Sequence, residues 1–75
     1  MNVNLLKSKR VEKGFIQKKV AKLLELTEKT YNSKENGKVP FKPDEISYLS
    51  NLLELDITEI NRIFFDDNLP IGKIG

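Results

Sequence analysis

The chain contains neither cysteine nor histidine. These absences exclude disulfides, metal binding through thiolate or imidazole, and nucleophilic catalysis of the Ser-His or Cys-His kind. A glycine-rich phosphate-binding loop is missing too, because Gly72-Lys73 has neither the upstream glycine nor the following serine or threonine of that motif. We therefore expect a protein that is not an enzyme and that has no cofactor, no metal and no small-molecule substrate.

Long apolar runs are equally scarce. The N-terminal stretch MNVNLLKSKR lacks the apolar core of a signal peptide, and no segment stays apolar over the ~20 residues that a bilayer-spanning helix needs. We therefore expect a cytoplasmic protein with no membrane partner. A chain of 75 residues can form one domain with a small core, whose stability should be only a few kcal/mol.

The net charge of +2 conceals an uneven distribution. Residues 1–43 contain eleven basic and four acidic residues, whereas residues 44–75 contain two basic and seven acidic residues. Such asymmetry is typical of a protein that presents one part of its chain to a polyanion and keeps the other part away from it. The basic part coincides with the segment that carries the clearest motif.

That segment, residues 17–36, has the pattern of two short helices joined by a tight turn. The first predicted helix, residues 17–24, has a narrow apolar stripe in which the small Ala21 allows another helix to approach closely. Thr27 is a suitable N-cap for the second helix, because its hydroxyl can accept a hydrogen bond from the first turn. The second helix should end at Gly37, which favours a left-handed C-terminal cap.

The second helix of this pair is polar on one face. Its inward side offers little beyond Tyr31 and the aliphatic stem of Lys34. The opposite face, at spacings of i, i+3, i+4 and i+7, consists of Lys29, Asn32, Ser33 and Asn36. Such side chains can read base edges in a DNA major groove, although most polar helix faces are simply solvated.

The surrounding residues favour DNA binding. They are Gln17, Val20-Ala21, Leu24, Leu26-Thr27, Tyr31 and Glu35-Asn36-Gly37, with Leu6-Lys7-Ser8-Lys9-Arg10 and Gly14 upstream and Leu55-Asp56-Ile57 downstream. In these residues the chain resembles the phage-repressor-like (XRE type) helix-turn-helix family of DNA-binding proteins. The resemblance implies an all-α, compact five-helix lambda-repressor-like DNA-binding domain over residues 1–65, followed by a short C-terminal tail over residues 66–75.

Three positions depart from the family pattern. Glu25 stands in the turn where glycine is usual, and a non-glycine residue at positive φ costs about 1 kcal/mol. Ile16 replaces the usual serine or threonine cap of the first helix in the pair. Lys34 occupies a position where a large apolar residue is common, so the second helix has less apolar surface with which to pack against the domain.

The resemblance also implies roles for individual side chains. Five are expected to lie at DNA bases, namely Glu28, Lys29, Ser33, Thr27 and Asn32. Three are expected to meet phosphates, namely Gln17, Asn36 and Lys38. Lys29 suits guanine O6 and N7, and Glu28 suits the amino group of cytosine. Arg10 is expected to form a partly buried structural ion pair with Glu35.

Two more helices are predicted in the C-terminal part. The fourth should begin at Pro43, and the fifth should begin after Asp56 with an inner stripe of Ile57, Ile60 and Phe64. Ile63 and Phe65 then remain unburied. We prefer to interpret these two as a homodimer seam, since exposed apolar patches rimmed by charge mark interfaces; the alternative is that tail residues cover them, namely Leu69, Ile71 and Ile74.

Together these features predict a sequence-specific DNA-binding transcriptional regulator. We expect a small repressor that binds a palindromic operator in double-stranded DNA as a homodimer. The alternative is a protein-interaction module of the same fold, such as an antitoxin or adaptor, in which DNA binding is secondary or absent.

Overall fold

The computed structural model describes residues 1–70 of the chain. Within that range the protein has five α-helices and no strand, so the predicted all-α, five-helix architecture is confirmed. The helices are α1 (Val3–Glu12), α2 (Gln17–Leu23), α3 (Glu28–Glu35), α4 (Pro43–Leu52) and α5 (Ile57–Phe64). α2 packs chiefly against α3, and α1 contacts both α3 and α5. None of these helices is long and apolar enough to cross a bilayer.

The helices begin where the sequence offers a cap. Thr27 Oγ1 accepts the Thr30 backbone N–H at 3.1 Å and so caps α3. Asp56 and Glu59 accept each other's backbone N–H groups at the start of α5, as the capping-box spacing predicts. α2 follows Ile16 without a side-chain cap, as the departure at this position predicts.

The turn between α2 and α3 has a counterpart between α4 and α5. Residues 23–26 and 52–55 both read Leu-Leu-Glu-Leu, and in each the glutamate takes positive φ, 59° for Glu25 and 52° for Glu54. Gly37 reaches the same left-handed region after α3 without a steric penalty. The two glutamates each cost about 1 kcal/mol relative to glycine, so both turns form despite local strain.

The core consists of side chains from all five helices. Its fully or almost fully buried apolar members are Leu6, Val20, Ala21, Tyr31, Leu49, Leu53 and Ile63. Phe41 lies in the α3–α4 loop and packs its ring 6.1 Å from that of Tyr31 and 5.7 Å from that of Phe64. This loop aromatic therefore links Tyr31 of α3 to Phe64 of α5.

Two expectations about α5 are wrong, namely that Ile57 faces the core and that Ile63 remains unburied. In α5, Ile63 is fully buried and Ile57 is 56% exposed. The helix is rotated so that a stripe at i, i+3 and i+4 beginning at Ile60 faces the core, and this rotation turns Ile57 outward. Ile63 therefore cannot belong to a surface dimer seam.

The segment after α5 folds back at Leu69. The side-chain amide of the buried Asn61 accepts the Leu69 backbone N–H at 2.9 Å and donates to the Leu69 carbonyl at 3.1 Å. Leu69 nevertheless stays 37% exposed, and Phe65 is 36% exposed. The alternative interpretation, in which the tail covers Ile63 and Phe65, also involves Ile71 and Ile74. These two residues lie outside the described residues.

Candidate nucleic-acid interface

Helix α3 divides into a buried side and a solvent-facing side. Its buried side chains are Tyr31, Lys34 and Glu35. Its exposed side chains are Glu28, Lys29 and Asn32, with Ser33 and Asn36 half-buried beside them. The polar face predicted from the sequence therefore lies at the surface of the domain.

The predicted ion pair between Arg10 and Glu35 forms in the interior. Arg10 Nε lies 2.6 Å from Glu35 Oε1, and Arg10 Nη1 donates to the Phe15 carbonyl at 2.7 Å. Tyr31 Oη donates to Glu35 Oε1 at 3.0 Å. The Glu35 carboxylate is fully buried and links α3 to α1 and to the segment before α2. Removing one of its partners would leave a buried charge uncompensated, which is strongly destabilising.

Burial and hydrogen bonding shift the pKa of Glu35 in opposite directions but that of Tyr31 in the same direction. Burial raises the pKa of Glu35, but hydrogen bonds from Arg10, Gln17 and Tyr31 and the Arg10 charge outweigh it, so the pKa lies below its ordinary value. Burial and the nearby Glu35 charge both raise the pKa of Tyr31. At neutral pH the carboxylate is ionised and the phenol keeps its proton.

A second buried ion pair, which could not be predicted from the local sequence pattern, holds the same last turn of α3. Lys34 Nζ lies 2.6 Å from Glu45 Oε1, and both side chains are less than a tenth exposed. Glu45 Oε1 also accepts the Lys42 backbone N–H at 2.8 Å at the start of α4. Burial raises the pKa of Glu45, but these two donors outweigh it and lower the pKa overall. The available signal was a lysine on the inward side of α3 followed by a glutamate in the first turn of α4.

Gln17 is predicted to meet a phosphate, yet the structure uses both ends of its amide within the protein. Gln17 Nε2 donates to Glu35 Oε2, and Gln17 Oε1 accepts from Asn32 Nδ2 at 3.0 Å. The hydroxyl of Thr27, predicted at the bases, is likewise occupied, since it accepts the Thr30 N–H and donates to Thr30 Oγ1 at 2.9 Å. These two side chains are arranged to support the surface of α3.

The end of α3 combines an amide with a lysine from α1. Asn36 Nδ2 donates to the Asn32 carbonyl at 2.9 Å, and Lys7 Nζ lies 3.5 Å from Asn36 Oδ1. Lys38 follows on the exposed loop. Nothing in the local sequence pattern around Lys7 indicates that the end of α3 lies beside it.

Comparison with known proteins identifies a family. A family model described as "Protein of unknown function (DUF739)" matches residues 2–67, which is most of the chain. The chain belongs to the DUF739 family. Neither the curated proteins nor the solved structures contain a match. Because that description assigns no activity, the resemblance to phage-repressor-like proteins stays a prediction, and the function has to be argued from the geometry.

In this DUF739 protein the basic side chains fall into two groups. Four are held by glutamates within the domain, through the pairs Lys9–Glu59, Arg10–Glu35, Lys13–Glu54 and Lys34–Glu45. The others in residues 1–43 are exposed and form no ion pair with any described residue, namely Lys7, Lys18, Lys19, Lys22, Lys29, Lys38 and Lys42. The domain thus keeps a surplus of positive charge at the surface around α2, α3 and the loop after α3.

Within residues 1–70 no group of three acidic side chains that could hold a metal ion is present. Asp66 and Asp67 are exposed, and Asp66 pairs with the N-terminal ammonium at 3.1 Å. The chemistry available on α3 is therefore hydrogen bonding and charge.

Proposed function

We propose that this DUF739 protein is a sequence-specific DNA-binding transcriptional regulator of the phage-repressor-like type, a small repressor. In this proposal α2, the turn at Glu25 and α3 form a helix-turn-helix, and α3 is the helix that enters the major groove. The observation that carries the proposal is the contrast between the two sides of α3. One side is anchored by two buried ion pairs, while the other presents exposed hydrogen-bonding groups.

The size and chemistry of α3 suit base reading. A B-DNA major groove, about 12 Å wide, admits one α-helix. Lys29 would donate to guanine O6 and N7, and Glu28 would accept from the amino group of cytosine. Glu28 would repel a phosphate, so its exposed position at the start of α3 supports a selective contact over a general electrostatic one. Ser33 and Asn32 would lie one turn further along the groove.

Phosphate contacts would come from the end of α3 and the loop after it. Lys38 is exposed there, and Asn36 is flanked by Lys7. Contacts of this kind position the protein on the duplex and supply salt-dependent affinity without reading the sequence. Gln17 is not among the proposed phosphate contacts, because both ends of its amide are already hydrogen-bonded to Glu35 and Asn32.

A homodimer would bring two copies of α3 to half-sites about 34 Å apart. With Ile63 buried, the seam would use the exposed apolar side chains at the α5 end, namely Ile57, Phe65 and Leu69. Ile57 lies at the start of α5 and Phe65 directly after its end, and the buried Asn61 between them binds the Leu69 backbone. These three exposed apolar side chains are the candidate seam.

Two lysine variants distinguish a base contact by Lys29 from a phosphate contact by Lys38. Lys29→Ala should weaken binding to the operator by roughly 1–3 kcal/mol and relax the choice at one base pair, because a bidentate base contact is lost. Lys38→Ala should weaken binding to all sequences alike and flatten the salt dependence. Fluorescence anisotropy on operator and random duplexes at several salt concentrations measures both effects. Equal losses on operator and random DNA for Lys29→Ala would contradict base reading.

A protein-interaction module, such as an antitoxin or adaptor, is the second candidate function. The exposed apolar side chains Ile57, Phe65 and Leu69 favour it, because they can contact a partner protein as well as a second copy. A gel-shift assay with genomic fragments at moderate salt separates the candidates. A selected fragment supports the regulator, whereas selection of no fragment supports the module.

A further inference from the structure

A line of hydrogen-bonded side chains runs from the interior to the exposed face of α3. Arg10 donates to Glu35, Gln17 Nε2 donates to Glu35 Oε2, and Asn32 Nδ2 donates to Gln17 Oε1 at 3.0 Å. Glu35 is fully buried and Arg10 is 8% exposed, whereas Asn32 lies at the surface. We call these four residues the amide relay, because the Gln17 amide is hydrogen-bonded to the buried ion pair at one end and to Asn32 at the other.

The chemistry of the groups determines how each amide is turned. A guanidinium only donates hydrogen bonds, and an ionised carboxylate only accepts them. Glu35 therefore requires the NH₂ end of Gln17, which leaves Gln17 Oε1 facing Asn32. Gln17 Oε1 in turn requires the NH₂ end of Asn32. Turning either amide would place two oxygens against each other, so Asn32 Oδ1 is directed away from Gln17 and makes no hydrogen bond within residues 1–70.

We propose that the amide relay makes Asn32 a hydrogen-bond acceptor towards DNA, so that it selects adenine or cytosine at one position of each half-site. The inference rests on the proposed function and assigns the polarity of one of its contacts. In the major groove adenine N6 and cytosine N4 are donors, whereas guanine O6 and thymine O4 are acceptors. Gln17 is then a positioning residue, which acts on the DNA through Asn32.

The experiment begins with selection of bound sequences from random double-stranded DNA by the full-length chain. Binding is then measured on the selected site and on duplexes in which each base pair is changed in turn, for wild type, Asn32→Ala, Gln17→Ala and the control Asn51→Ala. Asn51 is exposed on α4, outside the proposed interface. Wild type and Asn51→Ala should prefer adenine or cytosine over guanine or thymine at one position by about ten-fold. Both Asn32→Ala and Gln17→Ala should lose that preference.

A second readout monitors the relay without DNA. In ¹⁵N-labelled protein, Gln17→Ala should shift the Asn32 side-chain NH₂ signals, while the backbone spectrum keeps its folded dispersion. A preference that survives in Gln17→Ala would overturn the relay, and one that survives in Asn32→Ala would overturn the contact itself; the proposed function would stand in both cases. Selection of no sequence at all would overturn the proposed function together with this inference.

Discussion

Replacing Arg10 with alanine is expected to lower the free energy of unfolding by about 3–5 kcal/mol, because it leaves the buried Glu35 carboxylate without its charged partner. The Phe15 carbonyl loses its donor in the same variant. A domain of this size has about 3–5 kcal/mol of stability in total, so Arg10→Ala should be largely unfolded at 25 °C. Urea denaturation followed by circular dichroism measures the loss.

Lys9→Ala provides the matched control for that result. Lys9 precedes Arg10 in α1 and pairs with Glu59 and Glu12 near the surface, where both solvent and salt weaken the attraction. Its removal should cost clearly less than removal of Arg10. If Arg10→Ala lost no more stability than Lys9→Ala, the buried pair would not be the anchor of α3 that the geometry indicates.

Replacing Glu45 with alanine is the other change with a large expected effect. The Lys34 ammonium would remain buried without a partner, and the Lys42 N–H at the start of α4 would lose its acceptor. We expect a loss of about 3 kcal/mol. The same urea titration measures it, with Glu54→Ala as the control, because Glu54 pairs with Lys13 at an exposed site and its loss should matter much less.

A double variant shows whether the loss of stability in Glu45→Ala comes from the unpaired Lys34 ammonium. Lys34→Met keeps an unbranched side chain of similar length and removes the ammonium, so adding it to Glu45→Ala should restore much of the lost stability. Further destabilisation by Lys34→Met would contradict an unpaired charge as the cause of the loss.

The features that could be predicted from the sequence are those decided by a few neighbouring residues. Thr27 and Asp56 start helices because their side chains accept N–H groups within their own first turn. Gly14 and Gly37 end helices because they tolerate positive φ. Glu25 was identified as a strained turn residue, and its φ of 59° confirms this.

The rotation of each helix about its own axis was harder to predict. The apolar residues of α5 fit two overlapping stripes, one including Ile57 and the other Ile63, and the choice depends on how the helix packs against α1 and the N-terminal segment. Asn2 donates its backbone N–H to the Ile63 carbonyl at 2.8 Å, which is a contact between opposite ends of the described chain. No local periodicity reports such a contact.

Most of the buried contacts that support the candidate interface could not be predicted from the sequence either. Lys34 and Glu45 are separated by a loop, and Gln17 and Asn32 by the rest of α2, a turn and half of α3, so their pairing depends on the assembled fold. The resemblance predicted the pair of Arg10 with Glu35. It assigned Gln17 to a phosphate, however, and implied that Lys34 weakens the packing of α3 against the domain. In the structure these two polar residues fasten the inner side of α3.

The most direct test of the account is to titrate the selected DNA into ¹⁵N-labelled protein and to follow the backbone amide signals. We expect the largest changes in residues 28–38, which form α3 and the start of the following loop, while the signals of α4 change little. Changes confined to α4 and α5, with residues 28–38 unaffected, would contradict the proposal that α3 enters the major groove.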